Sequence, residues 1–351
     1  MKKKLKLIIL FVSMVILVLD TKTAARGSGD GVQLCLRTVI PSLFPFLFFS
    51  AMLTDAAKGM PAARWIERVL RIGKGCGHFW LVGTIGGYPS AAQAISQEVR
   101  SGSMRPKDCN RLLACCCNAG PAFAFGVGFA VLGSTKLCLL AWLIHLLSAF
   151  FVGLLTPCPP SETTPIFVPH SVTLSQAMVH AVKTMGMICG WVVLFCVLLT
   201  FADQWLLHSL PEAASVLVRG ILEISNGCCN LTKIADIRMR FLMFTVFLSF
   251  GGLCVAMQTA SFLSAAGIRL SVYLMAKVTQ AAVSAAIYTG FTAIFFRSFN
   301  GDTLIVLSLS AMVIFIYAIL NGGIKKITLE IPAKMGYNGG KQLRGDDHAF
   351  S

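Results

Sequence analysis

The sequence predicts an all-α, polytopic membrane protein with two pseudo-symmetric, inverted repeats that contain re-entrant hairpins and broken helices. Three observations lead there. The 351 residues are 56% hydrophobic and only 13% charged, far from the roughly 25% charged residues of soluble domains. Apolar segments of spanning length recur along the chain. Between Phe79 and Pro121, however, apolar segments twice run into glycine and proline, at Gly86-Gly87-Tyr88-Pro89 and at Asn118-Ala119-Gly120-Pro121. Unpaired amides in hydrocarbon cost several kcal/mol, so a backbone broken at that depth persists only inside protein or along a polar cavity.

The lysines from Lys2 to Lys6 accompany an apolar run, Leu5 to Leu19. A signal peptide ending near Thr23-Ala24-Ala25 and a retained first helix both fit it. Retention is the preferred reading, because a polytopic chain can use its first span as an anchor whose lysines hold the amino terminus inside. Residues 1–30 are thus expected to be an anchor helix and a linker. Leu36 to Leu53 is the next span, and Pro41 and Pro45 each free a carbonyl and kink it. Arg64 to Ile72 sets apolar residues opposite arginines at helical spacing, as an interfacial helix does.

Phe79 to Val99 has basic groups on both flanks. If both flanks are cytoplasmic, the segment enters and leaves on one side with Gly86 to Pro89 at its tip. Each arm of about ten residues is then roughly 15 Å long and reaches only mid-bilayer. Leu112 to Gly133 crosses, interrupted at Asn118 to Pro121, and Leu137 to Leu155 returns carrying His145. A proline-rich linker follows at 157–176. Met185 to Ala202 spans again, Ala213 to Arg240 is mixed and holds Glu223 and Asn226, and Phe241 to Met257 contains Gly251-Gly252. Leu270 to Phe296, with Lys277, and Leu304 to Leu320 are the last apolar segments. The tail, 321–351, is basic and expected to be disordered.

The second half echoes the first. Ile85 to Gln93 aligns with Phe250 to Gln258, Leu36-Arg37-Thr38 with Val182-Lys183-Thr184, and Leu70 to Gly75 faintly with Leu222 to Gly227. The same order suggests a duplicated unit, 31–156 and 177–320, and broken helices at matching positions of such repeats point to a transporter's binding site. Counting crossings from an inside amino terminus makes the units antiparallel. The same count leaves Lys325, Lys326, Lys334, Lys341 and Arg344 outside, against the positive-inside rule.

The formal charge is +15. Many of the cations flank apolar segments, where they act as topology signals and anionic-lipid contacts rather than as a nucleic-acid surface. The 13 cysteines lie mostly in apolar runs, without the paired spacing of a disulfide framework. Cys115-Cys116-Cys117 point about 100° apart on a helix and cannot all chelate one metal; close helix packing is the preferred reading. No nucleophile elbow, zinc-protease motif or phosphate loop is present, so neither an enzyme nor a cofactor is expected.

Pro41 to Phe46, Gly75-Cys76-Gly77, Gly87-Tyr88-Pro89, Arg111-Leu112-Leu113 with Asn118 and Pro121, Leu222 to Gly227, and Phe250-Gly251-Gly252 with Gln258 occur in that order. From about Val32 to Leu274 the chain resembles the YlbJ family of sporulation integral membrane proteins, relatives of the nucleoside-recognition or Gate domains paired in several transporters. The resemblance implies two Gate-type repeats and transport of dipicolinate across a cell membrane, that of the forespore, during endospore formation. Gln93 stands where the family commonly carries a lysine, which leaves a fixed cation to be found elsewhere.

The amino-terminal end of a half-helix presents free N–H groups and about half a positive charge. Gly86, Gly87, Tyr88, Ser90, Gln93, Asn118, Gly251, Gly252 and Gln258 are therefore the expected substrate-binding residues. Glu223, Asn226, His145 and Lys277 are candidates for coupling or counter-charge, because ionisable groups in apolar spans usually face the bundle interior. Tight loops between packed helices, repair of the Asn118 break, and a solvated Glu223 at the interface are the competing structural readings. The expected partners are a small organic anion and the lipid bilayer, with self-association left open. Transport of a nucleoside or a metal cation, and a non-transporting scaffold in sporulation, are the alternative functions.

Overall fold

The computed structural model describes residues 2–157, 172–296 and 301–329, and all regular structure among them is helical. Pro159, Pro160, Pro165 and Pro169 of the expected linker, and Lys334, Lys341 and Arg344 of the expected tail, lie outside the described residues. Among the described residues, six helical stretches are long and apolar enough to cross a membrane: Thr21–Thr54, Pro106–Leu132, Thr135–Leu155, Leu174–Trp205, Ile237–Ala265 and Leu270–Ala293.

The chain begins with α1 (Lys2–Leu19), whose apolar side chains are largely exposed. Next comes α2 (Thr21–Leu34), started by the Asp20 carboxylate accepting from Thr23 N. Up to residue 30 this stretch falls in the region expected to be the linker after the anchor helix. It is instead a helix packed along the later α10 (Leu174–Trp205). The reason lies in spacing: Gly27 and Gly31 are four apart, and a Cβ on them would stand 2.8 Å from Val197 Cα and 2.7 Å from Val193 Cα. Small residues at that interval let two helix backbones approach closely.

A π-helical turn, Cys35–Val39, joins α2 to α3 (Ile40–Ala56). Pro41 lacks an N–H and so disturbs the ladder here, and beside it the Ser42 hydroxyl donates to Thr38 O at 2.6 Å. The amphipathic α4 (Pro61–Leu70) buries Ala63, Ile66 and Leu70 while Trp65 stays exposed.

Then α5 (Gly77–Gly86) and α6 (Tyr88–Arg100) fold against one another as a hairpin, with Gly87 between them at φ 87°. The break separates α7 (Asn110–Cys116) from α8 (Pro121–Leu132), after which α9 (Thr135–Leu155) is continuous. Pro89 and Pro121 sit in the first turns of α6 and α8, where the missing N–H costs no helical bond.

In the second half, a capping box of Thr173 and Gln176 opens α10. A short hairpin of α11 (Glu212–Leu222) and α12 (Ile224–Asn230) follows. The interrupted pair α13 (Ile237–Phe250) and α14 (Gly252–Ala265) leads to α15 (Leu270–Phe296) and α16 (Gly301–Leu329). Helices α5 and α6 double back, whereas α13 and α14 do not pack on each other and form one spanning stretch. Gly251 therefore breaks a span as the Cys117 to Gly120 segment does, whereas Gly86-Gly87, with which Gly251-Gly252 aligns in sequence, turns a hairpin. A glycine pair can serve either a reversal or a one-residue step, and composition does not tell them apart.

The packing is reciprocal. Helix α6 lies on α14 and α12 on α8; α9 contacts α7, α8 and α13, and α15 contacts α13, α14 and α7; α3 lies on α10.

Candidate functional site

Two hairpin tips and two span breaks converge in the core. A Cβ on Gly87 would lie 3.6 Å from Gly120 N, and one on Gly251 would lie 3.4 Å from the Tyr88 ring. The phenol of Tyr88 donates to Leu248 O, and a Cβ on Gly252 would meet Ile224 N at 3.2 Å. Thus the tip of each hairpin sits on the break of one span, and Tyr88 ties the first tip to the second break.

The Cys117 to Gly120 break is closed by side chains from three directions. Asn118 Nδ2 donates to Cys115 O at 2.8 Å, Ala119 N to His145 Nε2 at 2.9 Å, and Trp142 Nε1 to Ala119 O at 3.0 Å. Lys277 Nζ donates to Cys117 O, the carbonyl four residues before Pro121, and to Gln280 Oε1 at 2.6 Å. Gln280 Nε2 donates in turn to His145 O at 3.1 Å, and His145 Nδ1 lies 3.3 Å from Ser249 Oγ on α13. Asn118, His145, Lys277, Gln280 and Ser249 are all fully buried. Asn118 Oδ1 has no hydrogen-bond partner among the described residues, and a buried acceptor in that state is where a water or a ligand belongs.

A separate polar chamber of about 970 Å³ lies between α3, α6 and α10. Its deep end is Ser50 and Ser90, whose hydroxyls are 3.3 Å apart, with Ser90 also donating to Gly86 O at the hairpin tip. Midway, Gln93 Nε2 donates to Thr184 Oγ1 at 3.0 Å and lies 3.5 Å from His180 Nδ1. Its rim carries Lys183 and a Lys58–Glu98 ion pair at 3.2 Å. The volume suits a small molecule. His180, Lys183 and Thr184 share one face of α10 by their three- and four-residue spacing.

The structure thus brings Gly86, Gly87, Tyr88, Asn118, Gly251, His145 and Lys277 together at the breaks, and places Ser90 and Gln93 in the adjoining chamber. Gln258 is not brought to them: its Nε2 donates to Cys254 Sγ at 3.3 Å within α14. Glu223 is buried at the second hairpin's tip beside Gly252, accepting from Ser225 N at 3.0 Å and Asn226 N at 2.7 Å. Asn226 bonds Asn230 along its own helix. The cysteine triplet packs closely, since a Cβ on Gly153 would lie 2.7 Å from Cys115 Cβ. Sequence reasoning missed Gln280, Ser249, Trp142 and the chamber's α10 face. Gln280 was within reach, standing one turn from an intramembrane lysine; Ser249 and the chamber depend on tertiary contacts alone.

A bundle with six apolar stretches of spanning length among the described residues, and with buried, side-chain-repaired breaks, defines a polytopic integral membrane protein. The chain is similar to the sporulation integral membrane protein YlbJ of Bacillus subtilis (strain 168), with 24% identity over 309 residues, covering 74% of this chain and 75% of that protein. No protein-family profile matches the chain, and no solved structure matches it.

Proposed function

We propose that the protein is a membrane transporter of a small organic anion, with dipicolinate as the cargo during endospore formation and the forespore membrane as its place. The single observation that carries this reading is the polar chamber between α3, α6 and α10, which reaches Ser90, one turn from the hairpin tip and bonded to Gly86 O. A planar dicarboxylate can accept from the Gln93 amide, and from Ser50 and Ser90 once their hydroxyls turn from their carbonyl partners, with Lys183 supplying positive potential from one side.

The two halves are read as inverted Gate-type repeats, α3 to α9 and α10 to α15. Support comes from reciprocity: exchanging the halves turns the α6–α14 contact into α12–α8, and α9–α13 into α15–α7. With α5–α6 taken to re-enter without crossing, the three crossings from α3 to α9 set α10 antiparallel to α3. In this reading α5–α6 and α11–α12 are the re-entrant hairpins, and rocking of one unit against the other opens the chamber alternately.

Two measurements test the function. In a deletion strain of the host, dipicolinate accumulates in the mother cell while the spore core is depleted; normal spore loading removes the proposal. For purified protein in detergent, dipicolinate raises the unfolding temperature according to RT ln(1 + [L]/Kd). A shift with nucleosides or divalent metals instead reassigns the cargo, and no shift with any of them favours a scaffold.

A further inference from the structure

The ammonium of Lys277 is fully buried, and none of the ion pairs among the described residues includes it. Its surroundings are nevertheless those of a cation. Cys117 O lies just past the last turn of α7, where helix carbonyls lack partners and the dipole is negative. Gln280 supplies an amide oxygen at 2.6 Å. The rings of Tyr88 and Tyr273 lie with centroids 5.6 Å and 5.8 Å from Nζ, inside cation–π range. Main-chain carbonyl, amide oxygen and ring faces without a carboxylate suit a weakly hydrated monovalent cation such as potassium or ammonium. Carbonyls at the carboxyl-terminal end of a half-helix are also where transporters coordinate their coupling ion.

The ligand set is held in place. Gln280 Nε2 is engaged by His145 O, which turns its oxygen to Lys277. His145 accepts from Ala119 N through Nε2, and a ring nitrogen that accepts carries no proton, so no second cation stands beside the first. The other titratable groups around Nζ are Tyr88 on α6, Tyr273 on α15, and Cys115, Cys116 and Cys117 at the end of α7.

We infer that the space around Lys277 Nζ is a monovalent-cation site of the broken span, and that Lys277 is its tethered occupant, so that the protein needs no sodium or potassium there. This goes beyond the proposed cargo and does not depend on it. The test is the unfolding temperature of Lys277→Ala in detergent with choline, sodium, potassium, ammonium or methylammonium as the counter-cation. The variant unfolds below the wild type in choline, and a small cation restores it saturably, whereas the wild type responds to none. A deficit that no cation repairs reduces Lys277 to a helix tie and overturns the inference. If Lys277→Ala does not fold, Lys277→Met keeps the stem for the same titration. Saturable stabilisation of the wild type by sodium or potassium overturns the inference whatever the variants do.

Discussion

The phenol of Tyr88 donates to the carbonyl of Leu248, joining the tip of the α5–α6 hairpin to the last turn of α13. The link answers a specific need. Because the span breaks at Gly251, the final carbonyls of α13 lose their usual donors, and Tyr88 supplies one. Tyr88→Phe keeps the ring against Gly251 but leaves Leu248 O unpaired in the core, at a cost of about 1–3 kcal/mol. Thermal unfolding in detergent is the measurement, and an unchanged midpoint would mean that this carbonyl has another donor.

Close backbone approach makes a second prediction. A Cβ on Gly83 would collide with the Cys116 carbonyl and stand 2.8 Å from Ala91 Cβ. Gly83→Ala must push α5 away from both α6 and α7, at a cost of roughly 1–3 kcal/mol for an overpacked core. Gly126→Ala on α8 meets nothing within 4 Å and is expected to be neutral or to stabilise by up to about 1 kcal/mol. Equal behaviour of the two variants in a thermal melt would contradict the packing at the first hairpin.

What the sequence disclosed and what it hid follow one rule. Breaks are written locally: Pro121 removes the donor for Cys117 O, and that carbonyl is the one Lys277 reaches. The apolar spans are likewise legible because each needs about 20 residues of the same character. Helix α2 was hidden because Gly27 and Gly31 carry the composition of a linker and the spacing of a packing face. Which helix they pack on is decided more than 160 residues away, at Val193 and Val197. The chamber was hidden for the same reason, since its walls come from three separate helices.

The chamber's α10 face makes a third prediction, conditional on the anionic cargo. Lys183 is exposed at the rim, where an ion contact is worth up to about 1 kcal/mol and is weakened by salt. Lys183→Gln is therefore expected to weaken dicarboxylate binding roughly two- to fivefold at low ionic strength, with the difference shrinking as salt is added. Gln93→Leu removes the amide that bridges toward His180 and Thr184, and weakens binding without a salt-dependent component. Titration by thermal shift at two salt concentrations separates the variants. Identical salt responses would place the anion away from Lys183.

Glu223 can be a helix cap or a proton carrier, and its two carboxylate oxygens favour the first. Each accepts a backbone N–H of α12, from Ser225 and Asn226, at a tip packed on Gly252. Removing both acceptors in Glu223→Ala leaves two donors unpaired in a buried turn and costs about 1–2 kcal/mol or more, as loss of an N-cap does. Glu223→Gln keeps one acceptor oxygen and the shape of the side chain, so a cap predicts a smaller loss of stability and retained transport. A proton carrier predicts the reverse, since the amide cannot titrate: near-normal stability with no transport. Unfolding temperature and uptake into vesicles, measured side by side on the two variants, separate these outcomes.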